Sequence, residues 1–104
     1  MGGFQASSIG LKHPGQFAWL GCFSGVVPVD SVKSALDAPE RINAALKLLW
    51  IGVGRDDALT RKGSEALHDA LEQRGIKHEF QVTDGRHEWN VWRKYLAEFL
   101  PRLF

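Results

Sequence analysis

A chain of 104 residues has room for one domain, and a domain of this size buries roughly 60–70% of its unfolded surface, enough for a single modest core. Hydrophobic residues make up 44% and charged residues 24%, with a formal net charge of +1 at pH 7 and scattered basic residues. This ordinary globular balance argues against a nucleic-acid or acidic-membrane partner.

The single cysteine, Cys22, excludes an intramolecular disulfide. The opening Met-Gly-Gly-Phe-Gln-Ala-Ser-Ser has neither the basic nor the apolar region of a signal peptide, and no apolar run reaches the length of a membrane span. These features suit a cytoplasmic protein and equally a secreted one that needs no disulfide.

Residues 2–12 carry small side chains, with Phe4, Ser8 and Leu11 on one helical face, and His13-Pro14-Gly15 ends the run. Residues 17–23 are a short apolar segment between glycines and are predicted to form a buried strand. Residues 24–39 form a loop with one helical turn, and Pro39 opens a helix over residues 40–46. Residues 47–53, Lys-Leu-Leu-Trp-Ile-Gly-Val, are apolar without alternation, the mark of a parallel strand covered on both faces. Residues 59–74 are predicted as a helix with Leu59, Ala66, Leu67, Ala70 and Leu71 facing inward and Gly75 as its stop. Residues 77–82 alternate like a half-exposed strand. A last helix over residues 89–100 sets Trp92, Tyr95, Leu96 and Phe99, followed by Leu103, at helical spacing.

Three strands separated by four helices imply an α/β fold, with a mostly parallel sheet in a three-layer αβα arrangement. Function in such sheets gathers beyond the carboxyl ends of the strands. Three segments fall there: Ser24-Gly25, Gly54-Arg55-Asp56-Asp57 and Thr83-Asp84-Gly85-Arg86-His87. An acid after one strand and a histidine after the next can meet on one sheet edge. A histidine can deprotonate a serine hydroxyl, which is otherwise a poor nucleophile at neutral pH, and a carboxylate can fix that histidine's tautomer. Asp57 and His87 are the candidates for these two roles.

Met1-Gly2-Gly3 resembles the end of the Gly-x-Ser-Met-Gly-Gly nucleophile elbow of an esterase family of α/β hydrolases that includes feruloyl, acetyl-xylan, esterase D-like and enterochelin-esterase-like proteins. The resemblance extends through Ile9-Gly10-Leu11, Phe17-Ala18 and Phe23-Ser24-Gly25. It continues in Leu48-Leu49-Trp50-Ile51-Gly52-Val53-Gly54-Arg55-Asp56-Asp57-Ala58-Leu59, in Gly75-Ile76-Lys77-His78, and in Gly85-Arg86-His87-Glu88-Trp89-Asn90-Val91-Trp92. It implies a partial α/β-hydrolase fold in which residues 1–104 are the C-terminal portion of an esterase domain. Asp57 falls on the catalytic acid and His87 on the catalytic base. Ser24 and Trp89 are expected to line the substrate pocket, and Trp92 to belong to the core. The substrate implied is a small-molecule or carbohydrate-linked ester, with no cofactor.

The Gly-x-Ser of the elbow is absent, so the chain is expected to start one residue after the nucleophile and to be inactive alone. The amide following that serine, one oxyanion donor, would belong to Met1 in an intact protein. Arg86 stands where the family often has glycine and is expected to narrow the pocket.

Other readings compete at several positions. Asp57 also suits a helix cap. His13, His68 and His78 have no Cys or Asp at metal-ligand spacing, so no metal site is expected and they are assigned to surface or packing. Gly52-Val53-Gly54 resembles the start of a phosphate loop, but Asp57 occupies the place of its third glycine. The alternative to an esterase is a non-catalytic α/β module or pseudo-enzyme subunit. In either case the strand over residues 17–23, with no lysine or proline along it, is expected to drive self-association through an exposed sheet edge.

Overall fold

The computed structural model describes residues 1–104. The elements run α1 (Gly2–Lys12), β1 (Trp19–Phe23), a 3-10 turn (Val29–Val32), α2 (Lys33–Leu36), α3 (Pro39–Ala45), β2 (Leu48–Gly54), α4 (Arg61–Gln73), β3 (Glu79–Thr83), α5 (Trp89–Phe99) and a closing 3-10 turn (Leu100–Arg102). The sheet order is β1-β2-β3 and both pairings are parallel, with Cys22 opposite Ile51 and Ile51 opposite Phe80. The expected α/β class with three parallel strands stands. There are five helices rather than four, because the single helical turn expected between residues 24 and 39 forms the short α2.

Side chains along the strands alternate between two cores, which is why β2 is apolar without a break. Leu20, Cys22, Leu49 and Ile51 pack on one face with Leu11 of α1, Leu36 of α2, Ile42 of α3, and Leu67 and Leu71 of α4. Trp50 packs on the other face with Val91 and Tyr95 of α5, joined by Phe23 and Phe99. Trp50 is fully buried, and its ring meets Phe23 edge-on at 5.4 Å and Tyr95 at 5.2 Å. Edge-to-face contacts of this kind add to the burial of apolar area. Helices therefore cover both faces of the sheet and give the expected three layers.

Several side chains differ from the periodic reading. Leu59 is 75% exposed and Ala66 is exposed, whereas Ser64 is fully buried. The cause lies at the start of α4: the Asp57 carboxylate accepts hydrogen bonds from the Leu59 and Thr60 amides, so the chain makes a turn first and the helix begins at Arg61. Ser64 is not an unpaired polar group, since its hydroxyl donates to the Gly25 carbonyl at 3.0 Å. Phe4 and Leu96 lie on the surface, and Ser7, not Phe4, shares the inner face of α1 with Ser8 and Leu11. Strand β3 is half-buried at every position rather than alternating, because α4 lies against one side and α5 against the other.

Candidate active site

The carboxyl ends of the three strands lie side by side, and backbone hydrogen bonds tie their loops together. The Arg55 amide donates to the Thr83 carbonyl at 2.6 Å, and the Asp56 amide to the Gly85 carbonyl at 2.9 Å. Gly54 permits this approach, since a Cβ at that position would run into the Gly85 backbone. An ion pair between Arg55 and Asp84 spans the same two loops on the outside. Asp57 and His87 are thereby carried on two loops that are bonded to each other.

His87 Nδ1 lies 2.9 Å from Asp57 Oδ2, and the Asp57 side chain has no solvent exposure. With its charge buried, Asp57 needs several donors, and it has them. Oδ1 accepts from the Leu59 and Thr60 amides at 3.0 and 2.9 Å, and Oδ2 also accepts from the Thr60 hydroxyl at 2.6 Å. The same residue that shapes the entry to α4 therefore holds the imidazole. Asp57 at Nδ1 directs Nε2 away from the carboxylate.

Burial works to raise the Asp57 pKa. Hydrogen bonds from Thr60 and His87 outweigh it and hold the carboxyl below its ordinary value of 3.8. Because the folded value is the lower one, acid protonates the unfolded chain first. The resulting stabilisation is complete above the ordinary carboxylate range and is lost as pH falls through the folded value. Urea unfolding from about pH 5 downward should show stability falling. Asp57→Asn should show a shallower fall, with the remainder coming from Asp37 beside Lys33 and Glu79 beside Arg102, which are also lowered. Equal slopes in the two proteins would remove Asp57 from this balance.

His87 opens onto a cavity of about 450 Å³ lined by Met1, Gly2, Gly3, Ser24 and Trp92 among others. The imidazole thus faces the beginning of α1. That helix start is drawn onto the end of β1 by two glycines: a Cβ on Gly3 would fall 2.7 Å from the Gly25 Cα, and one on Gly25 would fall 2.6 Å from the Gly3 carbonyl carbon. The Cys22 thiol donates weakly to the Gly3 carbonyl at 3.6 Å across the same junction.

Ser24 sits at this junction in the left-handed region, with φ 52°, a conformation that costs a non-glycine residue of order 1–3 kcal/mol. Its hydroxyl is buried without a partner, as is the Trp92 indole nitrogen. Both residues line the cavity.

The tryptophan of the cavity wall is not the expected one. Trp89 is 65% exposed and is not part of the wall. Trp92 packs against the core of Trp50, Val91 and Tyr95, as its spacing predicted, and also lines the cavity, where it meets the His87 ring edge-on at 4.9 Å. Helical periodicity could not separate the two, because each lies at the amino-terminal end of α5. Arg86 points to solvent and is not part of the wall either, so it does not narrow the cavity. Among the remaining histidines, His68 and His78 are packing residues, His68 stacked on Phe80 and His78 buried, and their facing ring nitrogens lie 2.8 Å apart with Glu72 alongside.

A parallel sheet between two helical layers, with a buried acid and an imidazole paired on neighbouring loops at its carboxyl edge, is the architecture of an α/β hydrolase. Residues 1–103 match the family described as "Putative esterase", and the chain belongs to that family. It is similar to an acetyl esterase from Caldicellulosiruptor saccharolyticus, with 33% identity over 49 residues, which are 47% of this chain and 18% of that protein. It also resembles the solved structure of a ferulic acid esterase, with a TM-score of 0.85 and 21% identity. That match covers 98% of this chain and 47% of the other, so the chain spans about half the length of that esterase.

Proposed function

We propose that residues 1–104 are the C-terminal portion of a serine-type carboxylic-ester hydrolase, in which His87 is the general base and Asp57 the acid that orients it. The observation that carries this reading is the 2.9 Å pair between His87 Nδ1 and the buried Asp57 Oδ2, opening onto a cavity walled by the start of α1. A serine joined to the amino side of Met1 would lie at the mouth of that cavity. His87 Nε2 would take its proton as the oxygen attacks the ester carbonyl, then give that proton to the departing alcohol. Water would release the acyl group by the same steps in reverse order. Asp57 stays ionised throughout and stabilises the imidazolium. The Met1 amide, once in a peptide bond, would donate to the oxyanion, and a second donor would come from outside these residues.

The names of the relatives favour acetyl or ferulate esters, on small molecules or on carbohydrate. Ser24 and Trp92, each with a buried polar atom lacking a partner, are suited to hydrogen-bond the ester or its acyl part. As a test, residues 1–104 alone should turn over p-nitrophenyl acetate no faster than their own His87→Ala variant, since a base without nucleophile and oxyanion donors has little transition state to stabilise. Substantial turnover abolished by Ser24→Ala would overturn the assignment and make Ser24 the nucleophile.

A second reading, a non-catalytic module that associates with another chain, is favoured by the one-sided pairing of β1. That strand bonds to β2 along one edge and to no strand along the other.

A further inference from the structure

We propose that His68, Glu72 and His78 form a binding site for a divalent transition-metal cation of the zinc class, at the opposite end of the sheet from Asp57 and His87 and independent of the esterase reading. Two of the ligands are four residues apart on α4, so they project from one face of the helix. The third is brought back onto that face by the turn at Gly75, whose φ of 67° lets the chain reverse directly after the helix. His78 then enters β3 beside the helix it has just left, which sequence spacing alone could not reveal.

The three ligand atoms lie within 4.8 Å of one another. His68 Nδ1 is 2.8 Å from His78 Nε2, and His78 Nε2 is 3.6 Å from Glu72 Oε1. Tetrahedral coordination with metal–ligand bonds of about 2.0–2.1 Å spaces ligand atoms about 3.3 Å apart. These two separations fall on either side of that value, and the third pair, His68 and Glu72, lies within 4.8 Å, so seating the ion needs small ring shifts and a rotation of the exposed Glu72 side chain toward His68.

The rings are also prepared for it. His78 Nδ1 donates to the Ile76 carbonyl at 2.7 Å, which leaves the Nε2 lone pair directed at His68 and Glu72. Metal-binding histidines are oriented by such bonds at the far nitrogen. The His78 side chain is 1% exposed, and the His68 ring stacks on Phe80 at 4.3 Å with 13° between planes, so neither imidazole is a free surface side chain. Glu72 is 64% exposed and leaves one side open for a water as fourth ligand. Two imidazoles and one carboxylate suit zinc, cobalt or nickel, whereas calcium and magnesium prefer oxygen ligands throughout. The ion would tie the second half of α4 to the residue just before β3.

The test uses the purified protein stripped of metal, titrated with Zn²⁺ by calorimetry and followed by thermal unfolding. One equivalent should bind and raise the Tm, with EDTA reversing the rise. Co²⁺ should give the visible absorption of a tetrahedral nitrogen–oxygen site. His68→Gln and Glu72→Gln, both at helix positions open to solvent on one side, should each weaken binding about 10-fold to 100-fold, the range seen even for losses around a ligand shell. His87→Gln should leave binding unchanged. Absence of binding up to about 1 mM Zn²⁺ (a free energy near −4 kcal/mol), or binding indifferent to both His68→Gln and Glu72→Gln, would overturn the site. The 2.8 Å contact would then be a hydrogen bond between two imidazoles and nothing more.

Discussion

Replacing His87 by alanine, in a form of the protein that carries its nucleophilic serine, is expected to lower kcat by about 10⁶, and Asp57→Asn by about 10⁴. The asymmetry follows from the geometry. On the proposed reading His87 moves the protons, so nothing would remain to activate the serine without it. Asp57 would act through His87: an asparagine there could still fill the space, but its carbonyl or amide would no longer fix the imidazole in the required tautomer. KM should change little in either variant, because neither group is needed to bind the ester in its ground state. The double variant should be no worse than His87→Ala alone, since both residues act through one imidazole. Asp57→Asn must be checked for folding separately, because Oδ1 and Oδ2 also organise Leu59 and Thr60 at the entry to α4. Steady-state kinetics with both variants decides the matter. A folded Asp57→Asn protein that keeps more than about a tenth of its kcat, against the expected 10⁴-fold loss, would reduce Asp57 to a turn-forming residue.

Residues 1–104 alone are expected to self-associate, as a dimer or as larger aggregate. The free edge of β1 presents unpaired backbone groups and no lysine or proline to discourage a new strand. Beside it Ala6, Ile9, Gly10, Phe17 and Leu20 line an apolar hollow of about 260 Å³, and Ile9 and Phe17 are 51% and 43% exposed. A second copy laid against this edge would pair the strand and cover the hollow at once. Leu20 is unsuitable as a probe, because it is buried against α1 and its loss would damage the core. Trp19 is held by Phe104 and by the Lys47 ammonium over its ring. Phe17→Lys is the cleaner variant, placing a charge in the hollow from an exposed position. Sedimentation should show the parent chain associated at tens of micromolar, roughly the range in which exposed edges pair, and Phe17→Lys shifted toward monomer. A stable monomeric parent chain would exclude the edge as an interface.

The layers of this fold were legible because β2 announces itself. Seven consecutive positions with no polar side chain can only be a strand covered on both sides, and helices before and after it then force parallel pairing. The meeting of Asp57 and His87 was legible for a related reason: strand ends in a parallel sheet share an edge, and the motif around each residue resembled the same family. Leu59 was misread because helical spacing cannot anticipate a carboxylate that captures two amides and delays the helix. Trp89 proved exposed and Trp92 proved both a core and a cavity residue, because periodicity gives the face of a helix but not what lies opposite its first turn. The meeting of His68, Glu72 and His78 depends on where Gly75 sends the chain, and no linear spacing of ligands records that.

The identity of the nucleophile is tested most directly by labelling the protein, purified with whatever sequence precedes Met1, with a fluorophosphonate and locating the adduct by mass spectrometry. The proposed function, resting on the Asp57–His87 pair facing the start of α1, predicts a single modified serine joined directly to the amino side of Met1, with labelling abolished in His87→Ala. An adduct on Ser24, or labelling that survives the loss of His87, would contradict it.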